Sequence, residues 1–365
     1  PVIFMNYGGQ MRWRMRSGEV LDADLGTMLT KDLTAHAWRT ALSPTGEWIP
    51  AVLRAADQRL TQIRRAIPDA GGLVIATNQT VARAYAKILA EITGKRPTVI
   101  LSDDAKASGR IEEFAAGQDR WMVAVRMVSE GVDVPRLAVG VYATSTSTPL
   151  FFAQAVGRFV RSRRRGEVAT VFLPTVPILL AHAATLERQR DHVLGRPRSE
   201  ETDIWAETEA LIDAANRGEK ASDDLLGEFE ALDSQATFDH VLFDSQAFGM
   251  HAEPTSQDEL DYLGLPGLLE PEQVSTLLAE RQRRQLRRRE RKDPKSQPEV
   301  PLHRALANQR KELNSLVAQL ARLEQRPHSH VHADLRRECG GPPLAQATTE
   351  QVTERIAKAR SWLRR

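Results

Sequence analysis

Between residues 71 and 195, short apolar runs alternate with segments that have helical spacing. The first run lies at residues 73–78 and is followed by a helical stretch that ends at Gly94; further runs lie at 98–102, 121–125, 137–144 and 168–174. Continuous apolar strands separated by helices are typical of a buried parallel sheet. The sequence therefore predicts an α/β fold in which the carboxyl ends of the strands meet at one edge, where such proteins bind ligands.

Two polar segments follow the third and fourth apolar runs and are expected at that edge. Residues 125–137 contain the string S-E-G-V-D-V-P, and residues 154–161 read Q-A-V-G-R-F-V-R. Helical spacing places Gln154, Arg158 and Arg161 on one face, and Gly157 lets a phosphate or another backbone approach closely. The alternatives are an ordinary turn for the first segment and a solvated or merely basic helix for the second.

These two strings resemble motifs V and VI of superfamily 2 helicases and translocases. The stretch L-V-I-A-T-N-Q-T-V-A-R-A-Y-A-K-I-L is similar to the motif IV region of the same enzymes. The resemblance covers about residues 70–195 and implies a second RecA-like domain, a parallel sheet flanked by helices. Gln154 at the head of motif VI favours the DNA-remodelling, XPB-like branch, because the RNA-oriented DEAD-box enzymes usually carry histidine there.

The resemblance also implies roles for individual residues. In this superfamily ATP with Mg²⁺ lies between two RecA-like domains, and the second domain supplies arginines that stabilise charge on the transferred phosphoryl group. A guanidinium suits this role because its planar fork grips phosphate oxygens and is always charged. Arg161 corresponds to the arginine finger and Arg158 to its partner. The remaining implied residues are Gly131, Asp133, Gln154 and Gly157 at the nucleotide and domain interface, and Ser129 near nucleic acid.

The motifs of a first RecA-like domain do not occur in the 365 residues. No G-x-x-x-x-G-K-[ST] and no D-E-x-H string is present. We therefore expect residues 1–70 to hold the last strand of a first RecA-like domain and a connector that ends in a helix at 51–67. That missing domain is expected in cis and would supply most ligands of ATP and Mg²⁺. The chain alone is predicted not to hydrolyse ATP.

After the RecA-like domain at 71–198, the sign of the charge changes twice. Residues 199–261 hold eighteen carboxylates against Arg217 and Lys220, whereas residues 280–292 hold eight basic residues against two acidic ones. We interpret residues 199–300 as a partly helical linker, acidic and then basic, with disordered stretches near 216–224 and 249–259. The acidic segment is a candidate binding surface for a protein partner, a mask for the basic surface or only a soluble linker.

Further arginines are candidate contacts with nucleic acid. Arg163 and Arg164, like Arg165, lie beyond motif VI and suit either phosphate contacts or a solvated face. The helix at 280–292 suits either a non-specific electrostatic contact with DNA or internal pairing with the acidic stretch. The candidate residues of that helix are Arg283, Arg284, Arg287 and Arg288.

Residues 301–365 are predicted to form a helical C-terminal module. Residues 302–326 have a coiled-coil-like apolar seam, and a last helix begins after Thr348 with Gln351 in a capping box. His328, His330 and His332 are expected in a loop, where their alternating spacing is poor zinc geometry, so no metal site is predicted.

Composition narrows the class of protein. A single cysteine excludes an internal disulfide and suits a reducing cytoplasm, and no apolar run is long enough to cross a membrane. The abundance of arginine and alanine suggests a bacterial source. Two functions stay open: the C-terminal half of an ATP-dependent helicase that binds DNA rather than RNA, and a non-catalytic nucleic-acid-binding or adaptor protein with a RecA-like fold. A Walker A motif encoded upstream of Pro1 would favour the helicase over the non-catalytic protein.

Overall fold

The computed structural model describes residues 1–27, 30–101, 106–125, 134–159, 163–193, 229–292, 302–323, 326, 328–340 and 349–363. The chain divides into two compact units. The first comprises Pro1–Leu25 with Lys31–Gln297, and the second comprises Gly26–Thr30 with Pro298–Arg365. The first unit contains both β-sheets, and the second is helical where it is described.

The five apolar runs form adjacent parallel strands in an eight-stranded sheet, which confirms the predicted α/β fold. The order across the sheet is β11-β10-β1-β8-β7-β4-β6-β5. Nearly every residue of the five strands is buried because helices cover the sheet. The strands are β4 (Gly71–Ala76), β5 (Thr98–Ile100), β6 (Trp121–Val125), β7 (Leu137–Ala143) and β8 (Ala169–Pro174).

The first strand belongs to this same sheet, whereas the sequence suggested the last strand of a preceding domain. Strand β1 (Val2–Gly8) pairs in parallel with β8, with Val2 opposite Ala169, and antiparallel with β10 (Thr237–Phe243). Strand β11 (Gln246–Phe248) completes the edge beside β10. All seven residues of β1 are buried, so the strand needs neighbours on both sides, and β8 and β10 provide them.

A second, smaller sheet packs against the first helix. It has the order β3-β2-β9, with β2 (Gln10–Met15), β3 (Val20–Asp24) and β9 (Phe229–Ser234). Side chains along β2 alternate between exposed and buried, as expected for a sheet with one covered face. The covering element is α1 (Lys31–Ala41), whose His36 ring stacks on Trp13 and meets the Phe229 ring edge-on.

Besides α1, seven helices lie in the described residues of the first unit. They are α2 (Trp48–Arg64), α3 (Gln79–Thr93), α4 (Ala107–Ala116), α5 (Pro149–Gly157), α6 (Pro177–Val193) and α7 (Gln257–Leu263), followed by the long α8 (Pro271–Lys292). Helix α3 begins where the Asn78 side chain accepts a hydrogen bond from the Val81 amide, and it ends at Gly94 in the left-handed conformation with φ 72°. The buried Arg59 of α2 ties the helix to β8 through the Thr170 hydroxyl.

The interpretation of residues 199–300 as a linker differs from the structure over its described part. Residues 229–248 form strands, and the segment 249–259, where we expected disorder, is packed and hydrogen-bonded. The Met250 side chain is buried, the Ser256 hydroxyl caps α7, and Glu259 accepts a hydrogen bond of 2.6 Å from the Tyr7 hydroxyl of β1. These contacts order the segment despite its acidic composition. The stretch 216–224 lies outside the described residues.

The second unit is built around three helices. Helices α9 (Leu302–Leu323), α10 (His328–Cys339) and α11 (Thr349–Leu363) bury one apolar cluster. Its members are Leu313, Val317, Leu320, Ala321, Val331, Leu335, Val352, Ile356 and Ala359. The expected loop around His328, His330 and His332 is instead the start of α10, because Val331 and Leu335 on that helix fill the cluster. Thr348 of the expected capping box lies outside the described residues.

Candidate functional site

Helix α5 carries the first residues of the motif VI candidate. It begins with Pro149 at its amino end after the carboxyl edge of β7, and it buries Phe151, Phe152, Ala155 and Val156 against the sheet. Gln154 lies on this helix, and its Oε1 atom is buried without a hydrogen-bond partner. A Cβ atom on Gly157 would meet nothing within 4 Å. The last turn of α5 therefore combines an unsatisfied acceptor with open space.

A close contact with β7 fixes the end of α5. Phe159 is 3% exposed, and its ring lies so close to Gly140 that a Cβ atom there would be 2.4 Å from the ring. Gly140 is the fourth of seven residues in β7. Arg158 directly precedes Phe159, so this contact also restrains the backbone at Arg158. The absence of a side chain at Gly140 sets the position of the motif VI candidate.

Four of the candidate residues belong to segments outside the described part of the chain. Arg161 of motif VI and Ser129, Gly131 and Asp133 of motif V lie outside the described residues. Both ends of the motif V segment are nevertheless fixed. It leaves β6 at Val125, and it returns at Val134, which is buried.

Arg136 anchors the chain directly after motif V. It is 3% exposed, and its guanidinium donates hydrogen bonds of 2.8 Å to each of three carbonyl oxygens, those of Phe114, Asp69 and Asp119. It also lies over the Phe114 ring, 3.9 Å from the centroid. Burial lowers the pKa of this guanidinium to about 10, so it remains charged at neutral pH. The sequence reasoning missed Arg136, although it directly follows the V-D-V-P string.

The arginines after motif VI have intramolecular partners. Arg163 contacts the Asp69 carboxylate, and its backbone amide donates to Glu167 at 2.7 Å. The hydrogen bond from Arg163 lowers the pKa of Asp69. Asp69 and Glu167 precede β4 and β8, so Arg163 lies at the amino edge of the sheet, opposite the edge where motif V begins. Arg165 pairs with Glu270 at 2.9 Å, and Arg164 is exposed.

The basic helix α8 has one anchored face and one exposed face. Gln285 is buried and bonds the Met250 amide and carbonyl at 3.0 and 2.9 Å. Arg288 pairs with Asp258 at 3.0 Å and with Asp261 at 2.8 Å. The other three candidates, Arg283, Arg284 and Arg287, are exposed. The structure thus shows internal pairing with the acidic stretch for Arg288.

One pocket was not anticipated from the sequence. It has a volume of about 330 Å³ and lies beside the carboxyl ends of β4 and β7. Its polar lining comes from α1, the loop after it and the loops after these two strands, and comprises Arg39, Ser43, Thr77, Asn78 and Ser145. These residues are far apart in the sequence and form no motif there, so only the fold brings them together.

The donor atoms present suit one side of a phosphate site. At the end of α5, the Arg158 guanidinium and the open space beside Gly157 suit a phosphate group, whereas the buried Gln154 Oε1 atom is an acceptor and suits a hydrogen-bond donor. Within the described ranges, no group of three or more His, Cys, Asp or Glu side chains is arranged to hold a metal ion. In the same ranges, no helix has the length and apolar character needed to cross a membrane.

Comparisons with known proteins give relatives that are much longer than this chain. No protein-family model matches it. The uncharacterized protein MT2985 of Mycobacterium tuberculosis is 51% identical over 368 residues, and the uncharacterized protein ML1624 of Mycobacterium leprae is 50% identical over 367 residues. These alignments cover 98% and 99% of the chain but 60% and 61% of the relatives. The chain therefore spans about 60% of the length of the curated relatives it matches.

Among solved structures, the chain is similar to domain 2 of the DEAD-box helicase Mss116p bound to an RNA duplex. The identity is 16%, the TM-score is 0.32, and the match covers 47% of this chain and 66% of that one.

Proposed function

We propose that the chain is the C-terminal half of an ATP-dependent superfamily 2 DNA helicase or translocase. The observation that carries this proposal is the Q-x-x-G-R-x-x-R string, which begins on α5 directly after a central strand of a parallel sheet. The motif V candidate supports it, since it follows β6, two strands from β7 in the same sheet. In this proposal residues 1–198 contain the second RecA-like domain, and β1 is an additional strand of that domain.

The motif VI arginines act on the phosphates in this proposal. Arg161 stabilises the charge that develops on the transferred phosphoryl group, and Arg158 holds the phosphates in position. Gln154 couples the nucleotide to the nucleic acid, and its buried, unsatisfied Oε1 atom is suited to accept a hydrogen bond from a partner. Gly131 and Asp133 contribute at the domain interface, and Ser129 contacts the nucleic-acid backbone.

When bound, ATP would provide the phosphoryl group that is transferred, and Mg²⁺ would balance part of its negative charge. The chain contains guanidinium groups for one side of that site but no Walker A string in its 365 residues. We infer that most ligands of ATP and Mg²⁺ come from a first RecA-like domain elsewhere in the complete protein. The chain alone then binds nucleic acid without hydrolysing ATP. Steady ATP turnover by the pure chain would contradict this inference.

Substitution of Arg161 in the complete protein tests the assignment. We expect Arg161→Ala to lower kcat by about 10³-fold or more, the range for a lost arginine finger. ATP binding is expected to weaken less, because the interaction strengthens as charge develops. Arg161→Lys recovers little activity, since one ammonium cannot replace the guanidinium fork.

Arg83→Ala is the control, because Arg83 is exposed on α3 and is not among the candidate contacts with ATP or nucleic acid. We expect it to retain turnover. Near wild-type turnover in Arg161→Ala would assign motif VI to the non-catalytic alternative, a nucleic-acid-binding or adaptor protein. The exposed arginines of α8 would then be its main nucleic-acid contact.

A further inference from the structure

The unanticipated pocket lies at the point where the order of the strands reverses. After β4 the chain passes through α3 to β5, which lies at one edge of the sheet. Strand β7 is the neighbour of β4 on the side away from β5, and from β7 the chain passes through α5 to β8, still farther from β5. Right-handed crossovers in opposite directions put α3 and α5 on opposite faces. A crevice opens between two such strands at their carboxyl ends, and α/β proteins commonly bind ligands there. Thr77 and Asn78 line the pocket from β4, and Ser145 lines it from β7.

The chemistry of the lining favours an anion. Of the described residues that line the pocket, Arg39 is the one with a charged side chain, and none is a carboxylate. Ser43, Thr77 and Ser145 add hydroxyl groups, which donate hydrogen bonds to phosphate oxygens. The first turn of α3 also lies at the pocket through Asn78 and Val81, and the amino end of a helix favours negative charge.

Apolar residues form the remaining wall. Leu42 and Pro44 follow α1, and Phe229 and Ala231 come from β9 of the smaller sheet. A pocket of about 330 Å³ is within the size range of small-molecule sites. The combination of one cation, several hydroxyls and an aromatic ring suits a phosphate group that carries a sugar or base.

Hydrogen bonds hold the walls together. The Tyr85 hydroxyl of α3 donates to the Leu42 carbonyl at 2.5 Å, which fixes the end of α1 to α3. The Glu47 amide donates to the Ser234 carbonyl at 3.1 Å, which fixes the start of α2 to the end of β9. A preformed site avoids the entropic cost of ordering its walls when a ligand binds.

We propose that this pocket binds the phosphate group of a nucleotide unit, with Arg39 as its principal contact. The choice of a nucleotide unit as ligand rests on the proposed function. The proposal adds α1 and the smaller sheet to the surface that binds ligands. Two sources share this chemistry, a phosphodiester of a nucleic-acid strand and a free nucleotide. Neither source requires the motif VI arginines.

Binding measurements on the 365-residue chain test the proposal. Labelled oligo(dT) is titrated with the chain and followed by fluorescence anisotropy, and the binding of AMP and of inorganic phosphate is measured directly by isothermal titration calorimetry. Arg39→Gln is expected to weaken oligo(dT) binding about tenfold, the size of one lost charge-assisted hydrogen bond. Arg83→Gln is the matched control, because Arg83 is exposed on α3 and does not line the pocket. We expect it to change the Kd less than about twofold, as for one screened surface charge.

A second variant keeps the test valid if Arg39→Gln perturbs folding. Ala231→Leu fills the pocket from β9 without removing a charge, and it should weaken binding in the same way. Circular dichroism confirms that each variant is folded.

The outcomes separate this proposal from the proposed function. Oligo(dT) binding that responds equally to Arg39→Gln and Arg83→Gln overturns the pocket and leaves the nucleic-acid function intact. AMP binding that depends on Arg39, without oligo(dT) binding, supports the pocket with a free nucleotide as ligand and contradicts the nucleic-acid function. Absence of binding by all three probes overturns both.

Discussion

Replacing Gly140 with alanine tests how the motif VI candidate is positioned. The new Cβ atom would lie 2.4 Å from one carbon of the Phe159 ring and 2.6 Å from another. Optimal carbon–carbon contacts are about 3.5–4.0 Å, so the ring and the end of α5 must move by about 1 Å. Gly140 lies in a buried central strand, and Phe159 is buried directly after the end of α5, so little space exists for this movement.

The expected cost in stability follows from two opposing effects. Overpacking of a core costs about 1–3 kcal/mol. Alanine recovers about 0.4–1 kcal/mol by restricting the unfolded chain, since Gly140 is not among the glycines with positive φ. We therefore expect the free energy of unfolding to fall by about 1–2 kcal/mol, measured by denaturant titration of the chain. Phe159→Leu in the same molecule should relieve the contact and recover part of this loss.

The effect on activity is expected to be larger than the effect on stability. A displacement of about 1 Å in a catalytic group can cost about 10²-fold in rate, and Arg158 directly precedes the displaced ring. In the complete protein proposed above, Gly140→Ala should lower kcat by roughly that factor under conditions where the protein is fully folded.

Gly72→Ala is the matched control. A Cβ atom at Gly72 would lie 2.4 Å from the Trp121 ring, so the steric cost is similar, but Trp121 belongs to β6 and not to the motif VI segment. We expect a comparable loss of stability with kcat changed less than about threefold. Equal losses of kcat in both variants, or none in Gly140→Ala, would refute the positioning role of the Gly140 contact.

Three further predictions concern individual side chains. Burial raises the pKa of Glu259 above 4.5 in the folded protein. The stability contributed by the protonated carboxyl group is therefore full below pH 4.5 and is lost as the pH rises through the folded pKa. In denaturant titrations over this pH range, the free energy of unfolding of the wild type should fall relative to that of Glu259→Gln. Arg136→Ala leaves three carbonyls without their donor and should cost about 2–5 kcal/mol in the same assay. Arg284→Gln should flatten the log–log salt dependence of duplex DNA binding by about 0.9, whereas Arg288→Gln, which removes a paired side chain, should leave the slope unchanged.

The parallel core of the fold was predictable, whereas the sheet's added strands were not. Strands β4–β8 are continuous apolar runs between helices, and such runs have few other ways to bury themselves. Strand β1 is equally apolar, but its pairing with β8 joins residues more than a hundred positions apart, and sequence pattern does not specify that partner. Strand β10 was not recognised because it contains Asp239 and lies in an acidic segment. In the structure the Asp239 carboxylate lies 2.6 Å from the His251 ring nitrogen.

The candidate site shows the same division between local and long-range information. The candidates in the motif V and motif VI strings were identified by their resemblance to superfamily 2 enzymes, and their guanidinium groups and glycines are residue types that suit phosphate binding. The partner of Arg163 is Asp69, ninety-four residues earlier, and the polar lining of the pocket extends from Arg39 to Ser145. Such contacts depend on the order of strands in the sheet, which the sequence alone left open.

Helix α8 shows why charge count alone does not define a nucleic-acid surface. Arg284 and Arg288 are the same type of residue and lie one helical turn apart. Arg288 nevertheless pairs with Asp258 and Asp261, whereas Arg284 is exposed. The difference arises because the buried Gln285 fixes which face of the helix meets the Met250 segment. A carboxylate that neutralises an arginine removes it from the count of phosphate contacts. The surface available to DNA on α8 is therefore set by the packing of the acidic segment against it and is smaller than its eight basic residues suggest.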